Sequence, residues 1–488
     1  IPVSEQLRRL AEQAPDAPAV SMGGVTSTRG HFAARSNRLA RALKARGLAP
    51  GDLLTIALPN SIEFMEAAAA CWKAGVTPQP VSSRLPAAEL DAIAALAKTP
   101  FIVGEAGLQS RTPIVTMAEL LQECADETPM DDAVCPSWKA PTSGGSTGRP
   151  KLIVSTDLSL YAPDFYAFWR IEANDVALIP APLYHNGPFS TAALALLRGA
   201  HLVLTPKFDP VQVLSEVQAR HATWLYLVPT MMSRIWRLPP EVRTAFDVST
   251  LKMVWHLAAP CPVWLKRAWI EWLGPDVIWE VYGATEAQAA TAITGAEYLR
   301  KPGSVGKVIR GEMKVVGPDG QDLPPGEIGD IYERPKPGDP ATFRYIGANA
   351  APIEGGWLTM GDVGFIDEEG YVFLSDRKAD MILVGGANVY PAEVEAALEE
   401  FPGVQSCCVI GLPDDDLGQR VHAIVQPRGQ IDLPSLEAHL ATRLVRYKLP
   451  RSIEIVSESL RDDAGKVRRS QLRAERISTP RQGGENLS

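Results

Sequence analysis

Cysteine is scarce, with 6 in 488 residues and no CxxC pair, so a disulfide framework is not indicated. The adjacent Cys407 and Cys408 sit in the apolar run QSCCVIGL, which reads as a strand carrying reduced, structural thiols. An excess of positive charge is also missing. Lys and Arg total 48 against 57 Asp and Glu, a formal charge of −9, and the interspersed signs argue against nucleic acid as the main partner. Long hydrophobic runs are absent too: stretches such as Thr191 to Leu197 are far too short to span a bilayer. The opening IPVSEQLRRLAEQAP lacks the basic start, apolar run and cleavage site of a secretory signal, so a cytoplasmic protein is expected. What remains, 46% hydrophobic and 22% charged residues, describes an ordinary globular chain. Its length predicts at least two domains.

Helical and strand-like patterns alternate through the first two-thirds. Thr28 can cap a helix running through Arg46, Gly47 can end it, and DLLTIALP follows as an apolar strand. DVALIPAPL, AALALLRGAHLVLTPKF and VLSEVQARHATWLYLVP repeat the theme, which predicts parallel sheets covered by helices and ligand loops beyond the strand ends. From about Gly303 to Glu333, short β-like runs with turns at GPDG and PPGE predict a small β subdomain. After Asp376 the pattern predicts a hairpin around Gly385 and Gly386, a helix opened by Pro391, strands near Val409 and Ala423, and a helix from Pro434 to Arg446. The expected fold is therefore α/β: a large N-terminal domain of doubly wound sheets with a small β subdomain (1–377), then a mobile α+β C-terminal domain (378–475). The polar, Gly-rich end (476–488) is expected to be a disordered tail.

The most informative stretch is Pro141 to Lys151, PTSGGSTGRPK. Glycines let backbone N–H groups approach anionic oxygens, hydroxyls add donors and lysine adds charge, so nucleotide polyphosphate is the natural ligand. A flexible linker is a weaker reading, because the loop is short and leads directly into the apolar LIV. A Walker-type loop needs Gly-Lys-Ser/Thr at a helix start, whereas Arg149 and Pro150 follow Gly148 here.

This loop resembles that of the adenylate-forming superfamily, which includes acyl-CoA synthetases, adenylation domains of peptide synthetases and luciferases; the resemblance runs from about Thr26 to Leu472. The family's T-S-G-(T/S)-T-G-x-P-K is matched by Thr142, Ser143, Gly144, Ser146, Thr147, Gly148, Pro150 and Lys151, with Gly145 as the one departure. In VYGATEAQ, residues Tyr282, Gly283, Ala284, Thr285 and Glu286 resemble the segment whose tyrosine lies against adenine and whose glutamate helps hold Mg²⁺, a cation that prefers hard oxygens. Ala258, Ala259 and Pro260 fall where the family has its small-residue adenine wall. In GGWLTMGDVGFIDEEGYVFLSDRKADMI, the resemblance implies that Asp362 binds both ribose hydroxyls and that Arg377 reinforces the nucleotide. Without that company Glu286 would read as a solvated carboxylate, Asp362 as a turn residue and Arg377 as a surface ion pair.

The family's hinge position is Ala379 here, with Lys378 and Asp380 beside it. Gly465 and Lys466 resemble its G-K segment, whose lysine bridges carboxylate and phosphate. The usual preceding proline is absent, Arg461 lies in that region, and Tyr447, Lys448, Leu449 and Pro450 resemble a further family element. The resemblance implies rotation of the C-terminal domain between two half-reactions, with Gly385 and Gly386 lining a tunnel for pantetheine. In PLYHNGPF, His185 resembles the histidine that borders the acyl carboxylate, and Tyr226, Pro229, Trp255, His256 and Leu257 could wall the acyl pocket. The wording of that segment resembles bile-acid and carnitine-type CoA ligases, and bulky Trp255 hints at a cyclic, aromatic or medium-chain acid.

The implied activity is ATP-dependent ligation of a carboxylic acid to coenzyme A through an acyl-AMP, with ATP, Mg²⁺ and coenzyme A required and AMP and pyrophosphate released. A carrier-protein thiol or oxygen as acceptor remains an alternative, as does a non-catalytic nucleotide-binding regulator. The expected partners are small molecules, with no nucleic acid and no membrane span, and a homodimer is left open.

Overall fold

Side-chain caps set the limits of the helices that cover the sheets. Thr28 accepts the His31 backbone N–H at the start of helix Arg29–Ala45. Ser61 does the same for Phe64 ahead of helix Ile62–Ala74, which Gly75 ends in the left-handed region at φ +78°. Strands between such helices are buried on both faces, as the unbroken burial of Leu53–Ala57 and Trp224–Leu227 shows, which is why they read as continuous apolar runs. The computed structural model describes residues 1–144, 150–164, 166–377, 380–384, 387–414, 416–462, 465 and 467–478, and only the backbone of 143, 144, 376, 377 and 478.

Among the described residues the central sheet has 13 strands. One half is parallel: Pro18–Met22, His201–Leu204, Val176–Ile179, Trp224–Leu227, Met253–His256 and Ile278–Gly283 lie side by side, with Val25–Thr28 turned back along the outer edge. The other half is antiparallel and continues from Ile278–Gly283 through Ala290–Thr294, Ser304–Arg310, Tyr371–Arg377, Leu358–Ile366, Gly329–Arg334 and Glu312–Val316. The β-rich stretch after Gly303 thus extends the same sheet. The change of strand direction falls at Ile278–Gly283, whose end carries Tyr282 and Gly283.

Two smaller sheets flank it. One is parallel, in the order Thr77–Pro80, Leu53–Ala57, Ile102–Gly104, Ile114–Val115. The other is a hairpin, Thr142–Gly144 with Pro150–Ser155, to which Phe343–Ile346 adds a third strand.

The chain beyond Ile382 has its own apolar core, in which Val389, Val394, Leu398, Val409, Val421, Val425, Leu436 and Leu440 meet. Strands Val404–Asp414 and Gly418–Pro427 form its long hairpin and Pro391–Glu399 its main helix. Cys407 and Cys408 are buried, free thiols in the first of these strands. The helix expected to reach Arg446 stops at Ala441. Thr442 turns back to donate its hydroxyl to the His439 carbonyl at 2.7 Å, and Leu444 folds into the core instead. Residues 479–488, most of the expected tail, lie outside the described residues.

The two units touch through helix Pro229–Trp236. Arg237 donates to the Gln405 carbonyl at 2.7 Å and to the Glu399 carbonyl at 3.5 Å. Gly465, buried at φ +75°, sits so close that a Cβ on it would lie 2.5 Å from Thr230 Oγ1.

Candidate nucleotide and acyl site

The arms of the hairpin Thr142–Gly144/Pro150–Ser155 pair with each other, and the second arm pairs on its other side with Phe343–Ile346. Its base is fixed by polar contacts. Gln79 donates to Thr142 Oγ1 at 2.7 Å, and Thr55 in turn donates to Gln79. Lys151 lies 3.5 Å from Glu286 Oε1 and over the Tyr345 ring at 3.8 Å, and the Tyr345 hydroxyl donates to the same Glu286 oxygen at 2.6 Å. Burial, followed by the Glu286 carboxylate, raises the Tyr345 pKa, which keeps that hydroxyl a donor. Glu286 is 6% exposed, and its carbonyl accepts the Thr342 hydroxyl. A hard carboxylate oxygen held beside Lys151 at the start of strand Pro150–Ser155 fits a Mg²⁺ ion, which Glu286 would hold and which would supply positive charge for phosphate. Gly145, Ser146, Thr147 and Gly148 lie outside the described residues.

One strand-end away, the Tyr282 hydroxyl donates to Asp362 Oδ2 at 2.7 Å. Asp362 stands in register with Arg377 across the Leu358–Ile366/Tyr371–Arg377 hairpin; the Arg377 side chain lies outside what is described. Ala258 adopts φ +74°, a conformation that a Cβ disfavours. With Ala259 and Pro260 it forms the turn leaving strand Met253–His256. Gly283, Ala284 and Thr285 lead from Tyr282 to Glu286.

His185 is the N-cap residue of helix Asn186–Arg198, its ring 4.3 Å from that of Tyr184. A Cβ at Gly187 would lie 2.6 Å from the Tyr226 hydroxyl, so the first turn of this helix rests directly on that tyrosine. Tyr226, Trp255 and Trp279 are register partners on one face of the sheet. Trp255 is fully buried against Phe168, Trp169 and Trp279, so these rings make an aromatic floor. His256 corrects the expected pocket wall. Alternation turns it to the opposite face, where it is fully buried 4.0 Å from Glu280, and burial drives its pKa well down. Lys266, also fully buried, pairs with Glu280 there.

Three residues of this region went unread in the sequence. Tyr345 gave no local signal, because its partner Glu286 lies 59 residues away. Lys139, in SWKAP, is a lysine in an otherwise buried stretch; it is 4% exposed and donates to Asn186 and to Ser190 at 2.8 Å. Burial lowers its pKa to about 7. Glu333 shares the inward side of GDIYER with Ile331, a position that strand alternation marks as buried.

Lys466, Gly385, Gly386 and Ala379 lie outside the described residues. Near the expected hinge, Asp380 pairs with Arg469 at 3.0 Å. Away from this site, a cavity of about 210 Å³ opens between the first two helices and residues 127–132, but Lys73 within it is already satisfied by Ala33, Ser36 and Asn37.

The family described as AMP-binding enzyme matches residues 7–336, and its C-terminal domain matches 393–466. The chain is 33% identical over 486 residues to a feruloyl-CoA synthase of Amycolatopsis sp, covering 95% of this chain and 97% of that protein. It is 30% identical over 503 residues to an indoleacetate–CoA ligase of Aromatoleum aromaticum, covering 96% and 97%. Among solved structures, o-succinylbenzoate CoA synthetase from Bacillus subtilis with its acyl-adenylate superposes with a TM-score of 0.84 at 26% identity, covering 99% of each chain.

Proposed function

This chain belongs to the AMP-binding enzyme family, and from that premise we propose that it activates a cyclic or aromatic carboxylic acid at the site described above. The activity itself is that of an AMP-forming acid–thiol ligase using ATP, Mg²⁺ and coenzyme A. The acid class rests on the aromatic floor of Tyr226, Trp255 and Trp279 and on relatives named for feruloyl and indoleacetate substrates.

The observation that carries the site assignment is the convergence of two constellations: Lys151–Glu286–Tyr345 on the strands that flank the glycine-rich segment, and Tyr282–Asp362 at the end of strand Ile278–Gly283. In this reading Thr142 to Lys151 cradle the β- and γ-phosphates, Tyr282 and the Ala258–Pro260 turn take the adenine, and Asp362 with Arg377 takes the ribose. Glu286 would hold Mg²⁺, which when bound neutralises phosphate charge. His185 borders the acid carboxylate.

A carboxylate oxygen attacks the α-phosphorus and pyrophosphate leaves. The thiol sulfur of coenzyme A then attacks the acyl carbon, losing its proton as AMP departs. Two unit charges about 4 Å apart repel by about 4 kcal/mol at an effective dielectric constant of about 20, and a lysine between them cancels a cost of that order. Lys466 has that role here. The tight seating of Gly465 against Thr230 supports it, since it brings the residue before Lys466 to the end of strand Trp224–Leu227. Gly385 and Gly386 then line the route for pantetheine after the C-terminal unit (378–475) turns about Ala379.

No described helix is long and apolar enough to cross a membrane; the reduced thiols support a cytoplasmic setting.

The test is pyrophosphate exchange across a panel of acids, with thioester formation from supplied acyl-AMP measured separately. Lys466→Ala should abolish the first and spare the second. Loss of both in a folded variant refutes the division of labour, and a panel in which only straight-chain acids turn over refutes the acid class.

A further inference from the structure

Behind the Tyr282–Asp362 pair lies a third acidic side chain that the nucleotide assignment does not use. Glu333, in strand Gly329–Arg334, is 1% exposed. Its register neighbours, Met313 and Leu358, are apolar. Neither carboxyl oxygen reaches a well-formed hydrogen bond among the described residues. The polar groups facing it are the Tyr282 hydroxyl and the Ala289 N–H, and the charged groups that bear on it are Asp362 and Glu286, both acidic. Glu286 is engaged elsewhere, by Lys151 and Tyr345.

An ionised carboxylate in such a place has lost its water, meets no cation among the described residues and faces like charge, so keeping its proton is the cheaper state. Burial first, then Asp362, push its pKa up to about 8. A neutral carboxyl has a proton to give. The Tyr282 hydroxyl has a single proton, which it already donates to Asp362, so its oxygen is left to accept.

We propose that Glu333 is a neutral carboxylic acid that donates to the Tyr282 oxygen, making one directional chain, Glu333 to Tyr282 to Asp362, that positions the tyrosine ring and the ribose-binding carboxylate for ATP. Glu333 is a positioning residue: it touches Tyr282, not the nucleotide. The inference rests on the assignment of Tyr282 and Asp362 to the nucleotide. It predicts an alkaline limit on ATP binding. The neutral form of Glu333 is the competent one, so affinity is intact below the raised pKa and lost as pH climbs through it. Ionised Glu333 cannot donate and repels Asp362.

The test is steady-state kinetics of the full-length enzyme from pH 6 to 9.5, with saturating acid and coenzyme A. KM for ATP should be flat to about pH 7.5 and then rise, approaching tenfold per pH unit, with kcat changing much less. Glu333→Gln keeps a donor without an ionisable proton; it should abolish the alkaline rise and rescue most of what Glu333→Leu loses. Glu333→Leu should raise KM for ATP roughly tenfold at every pH. Tyr282→Phe should blunt the alkaline rise, because the link is cut and only the direct repulsion between Glu333 and Asp362 is left. An undiminished rise in folded Glu333→Gln overturns the proposal, as does Glu333→Leu with normal KM. If Asp362→Ala leaves KM for ATP unchanged, the nucleotide assignment itself has failed, a result distinguishable from failure of the Glu333 link alone.

Discussion

Replacing Gly465 by alanine tests how the two units dock. The residue sits at φ +75°, where a side chain costs about 1–2 kcal/mol. The added methyl would also lie 2.5 Å from Thr230 Oγ1, 3.1 Å from Thr230 Cβ and 3.4 Å from Val228 Cγ2. Forcing an extra carbon into such packing costs about 1–3 kcal/mol. Together the two effects come to about 2–5 kcal/mol against the docked arrangement, a loss of about 30-fold to several thousand-fold in its population. Pyrophosphate exchange should fall by that factor, whereas thioester formation from supplied acyl-AMP, which in the proposed cycle takes place with the C-terminal unit turned away, should hold within a few-fold. Adding Thr230→Ala removes the oxygen but leaves Cβ in place, so it should recover roughly tenfold, the contact part, without relieving the backbone part. Equal loss of both half-reactions, or no recovery in the double variant, would show that this contact does not govern docking.

Two further changes probe the sheet's two faces. Gly187→Ala pushes a methyl to 2.6 Å from the Tyr226 hydroxyl, so KM should rise for bulky acids and stay near normal for ATP; Tyr226→Phe should restore it, and an equal rise in both KM values would contradict the assignment of this face to the acid. On the opposite face, Lys266→Met leaves Glu280 buried without its cation, at a cost of roughly 3–5 kcal/mol, seen as a fall of several degrees in melting temperature. Lys266→Met with Glu280→Leu should regain most of that fall, since the pair's desolvation disappears together with its attraction.

Much of the architecture was legible because local chemistry and global fold agree. Thr28 caps the helix that its position suggests, and the apolar runs after Gly51 and Arg220 are buried parallel strands. The helix after Pro434 was overextended, because nothing local announces that Thr442 will bond back to His439. The sheet's continuity past Gly303 was hidden for a different reason: strand partners such as Ser304 and Phe373 are far apart in the chain, and turn residues mark only where strands end. Within the site, the glycine-rich segment announces itself by composition, whereas VYGATE is recognisable only through its resemblance to the family. His256 was misread because adjacent strand residues face opposite ways, so it could not share a wall with Trp255. Tyr345 and Lys139 act through neighbours brought in by folding, and single-sequence reading has no access to such pairs.

The separation of Trp255 from His256 by one residue has a consequence for how such an enzyme diversifies. On the proposed assignment, carving or filling the indole floor alters the shape of the acid that fits, while the charged pair on the opposite face and the proposed phosphate cradle go undisturbed. Selectivity can therefore drift by trimming one ring at a time, leaving the energy-coupling half of the molecule as it was.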